Sequence, residues 1–168
     1  VKHAKNKGSI ISYDPNYRAS LWPNENTAIE HMRSLIPYAD IMKISDEETY
    51  LLTNHKNPEI AAKSLIQQGV KIALVTLGSD GAYVCTKNGG IKVGGFKTTA
   101  IDTNGAGDSF FGGFLYKISQ SNKQPEELTL DELAGFARFG NAVASLCVEK
   151  KGALNAMPAL EQVNKRLT

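Results

Sequence analysis

The chain is short of cysteine, of net charge and of long apolar runs. Its 168 residues include two cysteines, Cys85 and Cys147, too far apart to form a metal-type pair. Two thiols do not build a disulfide framework, and the expectation is reduced cysteines in a cytoplasmic protein. Nineteen basic side chains against seventeen acidic ones leave a formal charge of +2. The lysines are scattered, which excludes the basic patch of a nucleic-acid binder. No apolar run approaches the roughly 18 residues of a membrane span, so neither nucleic acid nor membrane is an expected partner. Repeats and low-complexity tracts are missing too. So are an initiating Met and a signal peptide: "VKHAKNK" (1–7) reads as the end of a helix closed by Gly8. The expectation is a fragment whose N-terminal part is absent.

What is there is an ordinary globular composition, 42% hydrophobic and 21% charged. The length predicts a single domain over 1–168. "SIISYD" (9–14) predicts a strand, followed by the loop "DPNYRASLWPNEN". Thr27 to Glu30 forms a capping-box pattern ahead of a helical stripe of Ile29, Met32, Leu35 and Ile36. "ADIMKI" (39–44) predicts a buried strand, and Ser45 to Glu48 a second capping box before "TYLL". Asn57 and Pro58 open a further helix as N-cap and first-turn proline, with Ile60, Ala61, Leu65 and Ile66 inward and Gly69 at its end. "VKIALVTL" (70–77) is the most strand-like run. This alternation predicts an α/β fold with a mainly parallel sheet. "AYVCT" and "IKVGGF", joined by "KNGG", add an antiparallel hairpin edge. A Phe-rich helix follows residue 105, with Phe110, Phe111, Phe114, Leu115 and Ile118 on one stripe. A last long helix covers about 130–149, with Leu133, Phe136, Ala137, Val143, Ala144 and Cys147 on its core face.

Ligands of open α/β sheets sit beyond the carboxyl ends of the strands. Polar groups cluster at four such places: Asp14 to Arg18, Ser45 to Glu48, Thr76 to Gly81, and Asp102 to Asp108. In the last, Gly105, Ala106 and Gly107 stand where a helix begins. Their N–H groups lack intrahelical partners, and the helix dipole favours an anion there. A carboxylate beside a bound phosphate is repulsive, so Asp108 needs a reason. Removing a proton from a hydroxyl that attacks phosphorus is one. Acid residues are also simply favourable at helix starts, and a bare Gly-Ala-Gly-Asp leaves both readings open. No Lys follows the glycines, so this is not a Walker A loop.

"DTNGAGDSFFGGF" resembles the second signature of the ribokinase-like carbohydrate kinases, the phosphofructokinase-B family. "DPNYR", "KISDEE", "VTLGSDGAYV" and "KKGALNAMP" follow in family order, so the resemblance covers nearly the whole chain. It is most like the fructokinases, with 2-keto-3-deoxygluconate kinases and ribokinases as alternatives. A non-catalytic nucleotide-binding module stays open beside them. The resemblance implies a three-layer α/β/α fold, here the C-terminal nucleotide-binding part of a longer kinase, without the N-terminal part and its β lid. It implies ATP with magnesium, and a sugar substrate. Asp108 would be the catalytic base, and Gly105, Ala106 and Gly107 the anion hole. Thr76, Gly78, Ser79 and Gly81 would line the ATP phosphates and ribose, Ser45 would contact the nucleotide and Asn141 would sit near the adenine. Asn16 and Arg18 would reach the sugar side. Glu48 would act on the magnesium-bound phosphates indirectly. Asp102 would hold a monovalent cation such as potassium, with carbonyls near Asn104, Lys150 and Gly152. The pattern departs at Ser45, where many ribokinases have Asn, and at Ala156, where a Ser can join the cation site. A first strand without its sheet neighbour implies pairing with another chain, and hence a homodimer.

Overall fold

The computed structural model describes residues 1–168. The chain divides into two compact units, Val1–Thr76 with Tyr83–Gly90, and Leu77–Ala82 with Ile91–Thr168. Five strands form one sheet in the order β1 (Ser12–Tyr13), β2 (Ile41–Ser45), β3 (Ile72–Thr76), β4 (Ala82–Thr86) and β5 (Gly89–Val93). β1 pairs parallel to β2, and β2 to β3, with Ile41 opposite both Ser12 and Ile72. The links from β3 to β4 and from β4 to β5 are too short for a crossover, so these neighbours run antiparallel. The expected mixed α/β sheet is therefore present.

In the first unit, β2 and β3 read as apolar runs because they are buried on both faces. Ile41, Met42, Ile44, Ile72, Leu74 and Val75 are fully buried. Lys43 is the exception within β2. It is 5% exposed, and its ammonium meets Asp14 Oδ2 at 2.8 Å. Asp40, just before β2, gathers the N-terminal helix α1 (Lys2–Asn6) and the strand entries. It accepts from the Ile11 N–H at 2.9 Å and pairs with Lys5 and Lys71 at 3.3 and 3.1 Å. Burial alone would raise its pKa, but the Ile11 N–H and the two lysines bring it below the usual value.

Three local expectations differ from the structure. Helix α2 (Glu25–Leu35) starts earlier than Thr27 to Glu30 suggests. Asn24 is its N-cap, accepting the Thr27 N–H at 2.9 Å, and the Thr27 hydroxyl also contacts Asn24 Oδ1. Asn is as strong a cap as any residue, and it engages Thr27. Of the six residues 9–14, only Ser12 and Tyr13 form a strand: the Ile11 carbonyl still accepts the Asp40 and Ile41 N–H groups, and Pro15 ends the pairing after Asp14. After α3 (Thr49–Thr53), helix α4 (Pro58–Gln67) is capped by Asn57 as expected, but Ile60 is 49% exposed. Ala61, Ala62 and Leu65 are the inward residues, a stripe rotated by one position.

In the second unit, α5 (Ala106–Ser121) packs on α6 (Leu130–Cys147). Phe110, Phe111, Phe114 and Ile118 are buried as their spacing predicts, with Phe114 edge-on to Phe136 at 6.3 Å. Thr129 and Glu132 cap α6 reciprocally. A C-terminal helix, α7 (Leu160–Leu167), was not anticipated; its Val163 packs with Phe139 and Ala142. No helix is long and apolar enough to cross a membrane.

Candidate functional site

The second unit holds a cleft of about 770 Å³. Gly78 and Ser79 from the turn after β3, residues 95–98, Thr103 and Ala106 at the start of α5, and Asn141 line it. Ala144, Ser145 and Val148 complete it from α6. Sequence reasoning found Asn141 but missed these three. Their signal is spacing: 141, 144, 145 and 148 share one helical face.

Backbone contact shapes the cleft's wall. The turn after β3 is closed by the Leu77 N–H on the Gly81 carbonyl at 2.8 Å. A Cβ on Gly81 would fall 2.1 Å from the Val93 carbonyl oxygen, and one on Gly95 would fall 2.3 Å from that of Ser79. The two stretches therefore touch main chain to main chain. Gly81 supports the wall rather than lining it. Asn141, 6% exposed, donates its side-chain amide to the Val93 and Gly94 carbonyls at 3.2 and 3.1 Å.

The turn into α5 is held by Asp102 and Gly105. Asp102 Oδ1 accepts from the Asn104 N–H at 3.0 Å and Oδ2 from the Gly152 N–H at 2.9 Å. These two bonds, Asn104 first, hold its carboxyl below the usual range. Asp102 thus meets Asn104 and Gly152 through their N–H groups, and no group of three acidic, His or Cys side chains that could hold a metal forms in the chain. Gly105 has φ +77, and a Cβ there would lie 2.7 Å from Ala153 Cβ. Only glycine satisfies both conditions. Beyond it, the Ala106 N–H donates to the Thr103 carbonyl at 3.2 Å, whereas the N–H groups of Gly107 and Asp108 find no acceptor. Of the expected anion hole, Ala106 is already bonded. The Gly105 N–H also finds no acceptor, so Gly105, Gly107 and Asp108 supply the open donors, next to Ala106, which lines the cleft. Asp108 itself is exposed, accepts no hydrogen bond and pairs with no cation in the chain. It borders a smaller hollow of about 430 Å³ along α5, with Gly112, Tyr116 and Leu160.

The remaining sequence candidates lie in the first unit. Glu48 is 6% exposed and fully engaged. Its Oε1 accepts from the Tyr17 N–H at 2.7 Å, and its Oε2 from the Ser45 N–H and hydroxyl at 2.8 and 3.1 Å. The capping-box bonds between Ser45 and Glu48 are real, and the same carboxylate fastens the "DPNYR" loop. Burial, then the charges of Glu48 and Asp14, push the Tyr13 hydroxyl up to about 12. Asn16 and Arg18 are exposed, and Arg18 Nη1 donates to the Tyr17 carbonyl at 2.9 Å. Thr76 belongs here too, accepting the Asp46 N–H at 3.0 Å through its carbonyl.

A cleft bordered by the turn after β3 and by a helix start with open N–H donors has the form of an anion-receiving site in an α/β protein. The profile of the pfkB family carbohydrate kinases matches residues 1–160, and the chain belongs to that family. Its relatives include probable fructokinase-5 of Arabidopsis thaliana, 38% identical over 167 residues, an alignment covering 98% of this chain and 51% of that protein. Among solved structures, fructokinase from Vibrio cholerae O395 with fructose, ADP and calcium bound superposes with a TM-score of 0.91 at 29% identity. That match covers 99% of this chain and 53% of the other. Fructokinase from Xylella fastidiosa with bound ATP gives 0.88 at 31% identity, covering 99% and 54%. The chain spans about half the length of the relatives it matches.

Proposed function

We propose that the chain forms the nucleotide-binding and base-bearing part of an ATP-dependent sugar kinase of fructokinase type. The observation that carries this is the first turn of α5, where Ala106 lines the cleft and the open N–H donors and unengaged carboxylate follow directly after it in the chain. The nucleotide lies in that cleft, with its base toward Asn141 and its phosphates toward Gly78, Ser79 and the start of α5. Asp108 takes the proton of the sugar hydroxyl. The freed oxygen attacks the γ-phosphorus, the bond to the ADP oxygen breaks, and the N–H groups of Gly107 and Asp108 stabilise the charge on the moving phosphoryl group. Arg18 and Asn16 serve the sugar side.

Magnesium fits such a site as the companion of the phosphates. It is bound largely by substrate oxygens and water with one or two carboxylates, so the lack of a three-acid cluster is compatible with it. Glu48, with both oxygens occupied by Tyr17 and Ser45, would serve such an ion only indirectly, by holding those two residues in place. A monovalent cation near Asp102 would have to use the carboxylate's remaining lone pairs and nearby carbonyls. The edge strand β1 is the surface through which copies would pair.

Titration calorimetry of this chain with ATP, and a coupled kinase assay with fructose on the longer kinase of which it forms part, test the reading; the chain alone is expected not to phosphorylate fructose. ATP binding that is retained in Asp108→Asn, with phosphoryl transfer to fructose lost, supports it. No nucleotide binding by the wild-type chain would sink it. ATP binding without any dependence of turnover on Asp108 would leave only a nucleotide-binding module.

A further inference from the structure

The C-terminal helix α7 holds one wall of the cleft from behind. Arg166 Nη2 donates to Glu149 Oε1 at 2.8 Å, and Nη1 donates to Ser145 Oγ at 3.1 Å. Glu149 Oε1 also accepts from the Thr98 hydroxyl. Thr98 and Ser145 both line the cleft. A second attachment lies at the end of α7. The Leu167 carbonyl accepts from Arg138 Nη2 at 3.4 Å, and the Arg138 guanidinium lies 5.2 Å from the centre of the Phe96 ring. Phe96 and Leu167 also pack on the cluster of Phe139, Ala142 and Val163.

Residues 96–98 have no helix or strand of their own. Their position is set by side-chain ties rather than by a ladder. The Thr98 hydroxyl, then Arg166, hold the Glu149 carboxyl below its usual range, so the tie is charged at neutral pH.

We infer that Arg166, acting through Glu149, is a positioning residue that fixes Thr98 in the shape that receives the nucleotide. α7 thereby sets nucleotide affinity without touching the nucleotide. This rests on the cleft being the nucleotide site, as proposed above. A merely stabilising ion pair at this half-exposed place would contribute little, and that little would show in unfolding rather than in affinity.

The test is calorimetric titration of the chain with ADP, in the wild type and in Arg166→Met, Arg166→Lys and Glu149→Gln. Loss of the tie should weaken ADP about five- to tenfold in Arg166→Met. Arg166→Lys, which keeps one charged contact to Glu149, should lose less. Arg166→Met and Glu149→Gln together should lose no more than the worse of the two alone. In steady-state kinetics of the longer kinase carrying the same substitutions, the KM for ATP should rise while kcat holds. If Arg166→Met does not fold, Glu149→Gln carries the same expectation with a smaller change in shape. Unchanged ADP affinity in a folded variant overturns the positioning role and leaves the nucleotide cleft standing. Absence of ADP binding in the wild type removes both.

Discussion

Glu48 precedes α3, and Asp108 stands in the first turn of α5, yet the two carboxylates live in opposite circumstances. Glu48 is buried and accepts three hydrogen bonds from Tyr17 and Ser45. Asp108 is exposed and accepts none. Helix starts favour acids in general, through capping and the dipole, so position alone separates the two poorly. Partners do the separating. A carboxylate with its oxygens committed to a loop is framework. One left open beside unpaired N–H donors has its oxygens unspent by the fold.

The largest expected effect tests the free partner of this pair. Asp108→Asn in the longer kinase should lower turnover by at least about 10²-fold and change stability by no more than about 0.5 kcal/mol. A kinase assay and a melting curve on the same preparation check both halves, and near-normal turnover would make the two acids alike after all. Glu48→Ala should do the reverse. Leaving the Tyr17 and Ser45 N–H groups without their acceptor should cost about 2–3 kcal/mol, read by urea unfolding; an unfolding midpoint equal to the wild type would deny Glu48 its framework role. Gly105→Ala comes next. Its left-handed backbone and the contact with Ala153 should cost about 1–2 kcal/mol, and nucleotide binding should weaken in the folded fraction because the open donors follow directly. Unaltered stability and binding would mean that the turn adjusts at no cost.

The smallest effect concerns Asp102, an acid between the two extremes. Its folded pKa is depressed by the Asn104 and Gly152 N–H groups. The tie is therefore complete above the ordinary aspartate value of about 4, and it is lost as pH falls through the lower folded value. NMR titration of the Gly152 amide should show its midpoint below that ordinary value. A midpoint at or above it would show that the tie does not hold Asp102 in solution.

Much of this arrangement was legible in the sequence because it follows local rules. β3, the hairpin, the Asn57-Pro58 helix start and the Phe stripe of α5 are set by periodicity and capping. The reciprocal Ser45 and Glu48 bonds were legible for the same reason. What escaped depends on competition or on distant contacts. Asn24 wins the cap over Thr27 because it engages Thr27 itself. Ile60 turns outward because the tight side of α4 is built from alanines, which periodicity weights little. α7 shows only Leu160, Val163 and Leu167 as apolar residues in a polar run, and its tie through Arg166 to the cleft wall joins segments far apart in the chain. The site candidates were found as residue types, but which N–H groups stay open at α5 depends on the Thr103 carbonyl, a matter of geometry.

The crossing of Gly81 and Gly95 bears on how this sequence can drift. A side chain at either position would strike main chain, at 2.1 Å from Val93 in one case and 2.3 Å from Ser79 in the other. Because the obstacle is backbone, no change of a neighbouring residue can make room for it. The two positions are closed to every substitution, singly and together, while the exposed Asp80 between Gly81 and Ser79 is open to many. In a library of variants selected for function, Gly81 and Gly95 should therefore stay fixed while Asp80 varies, and the cleft could be reshaped only through the side chains of its other lining residues.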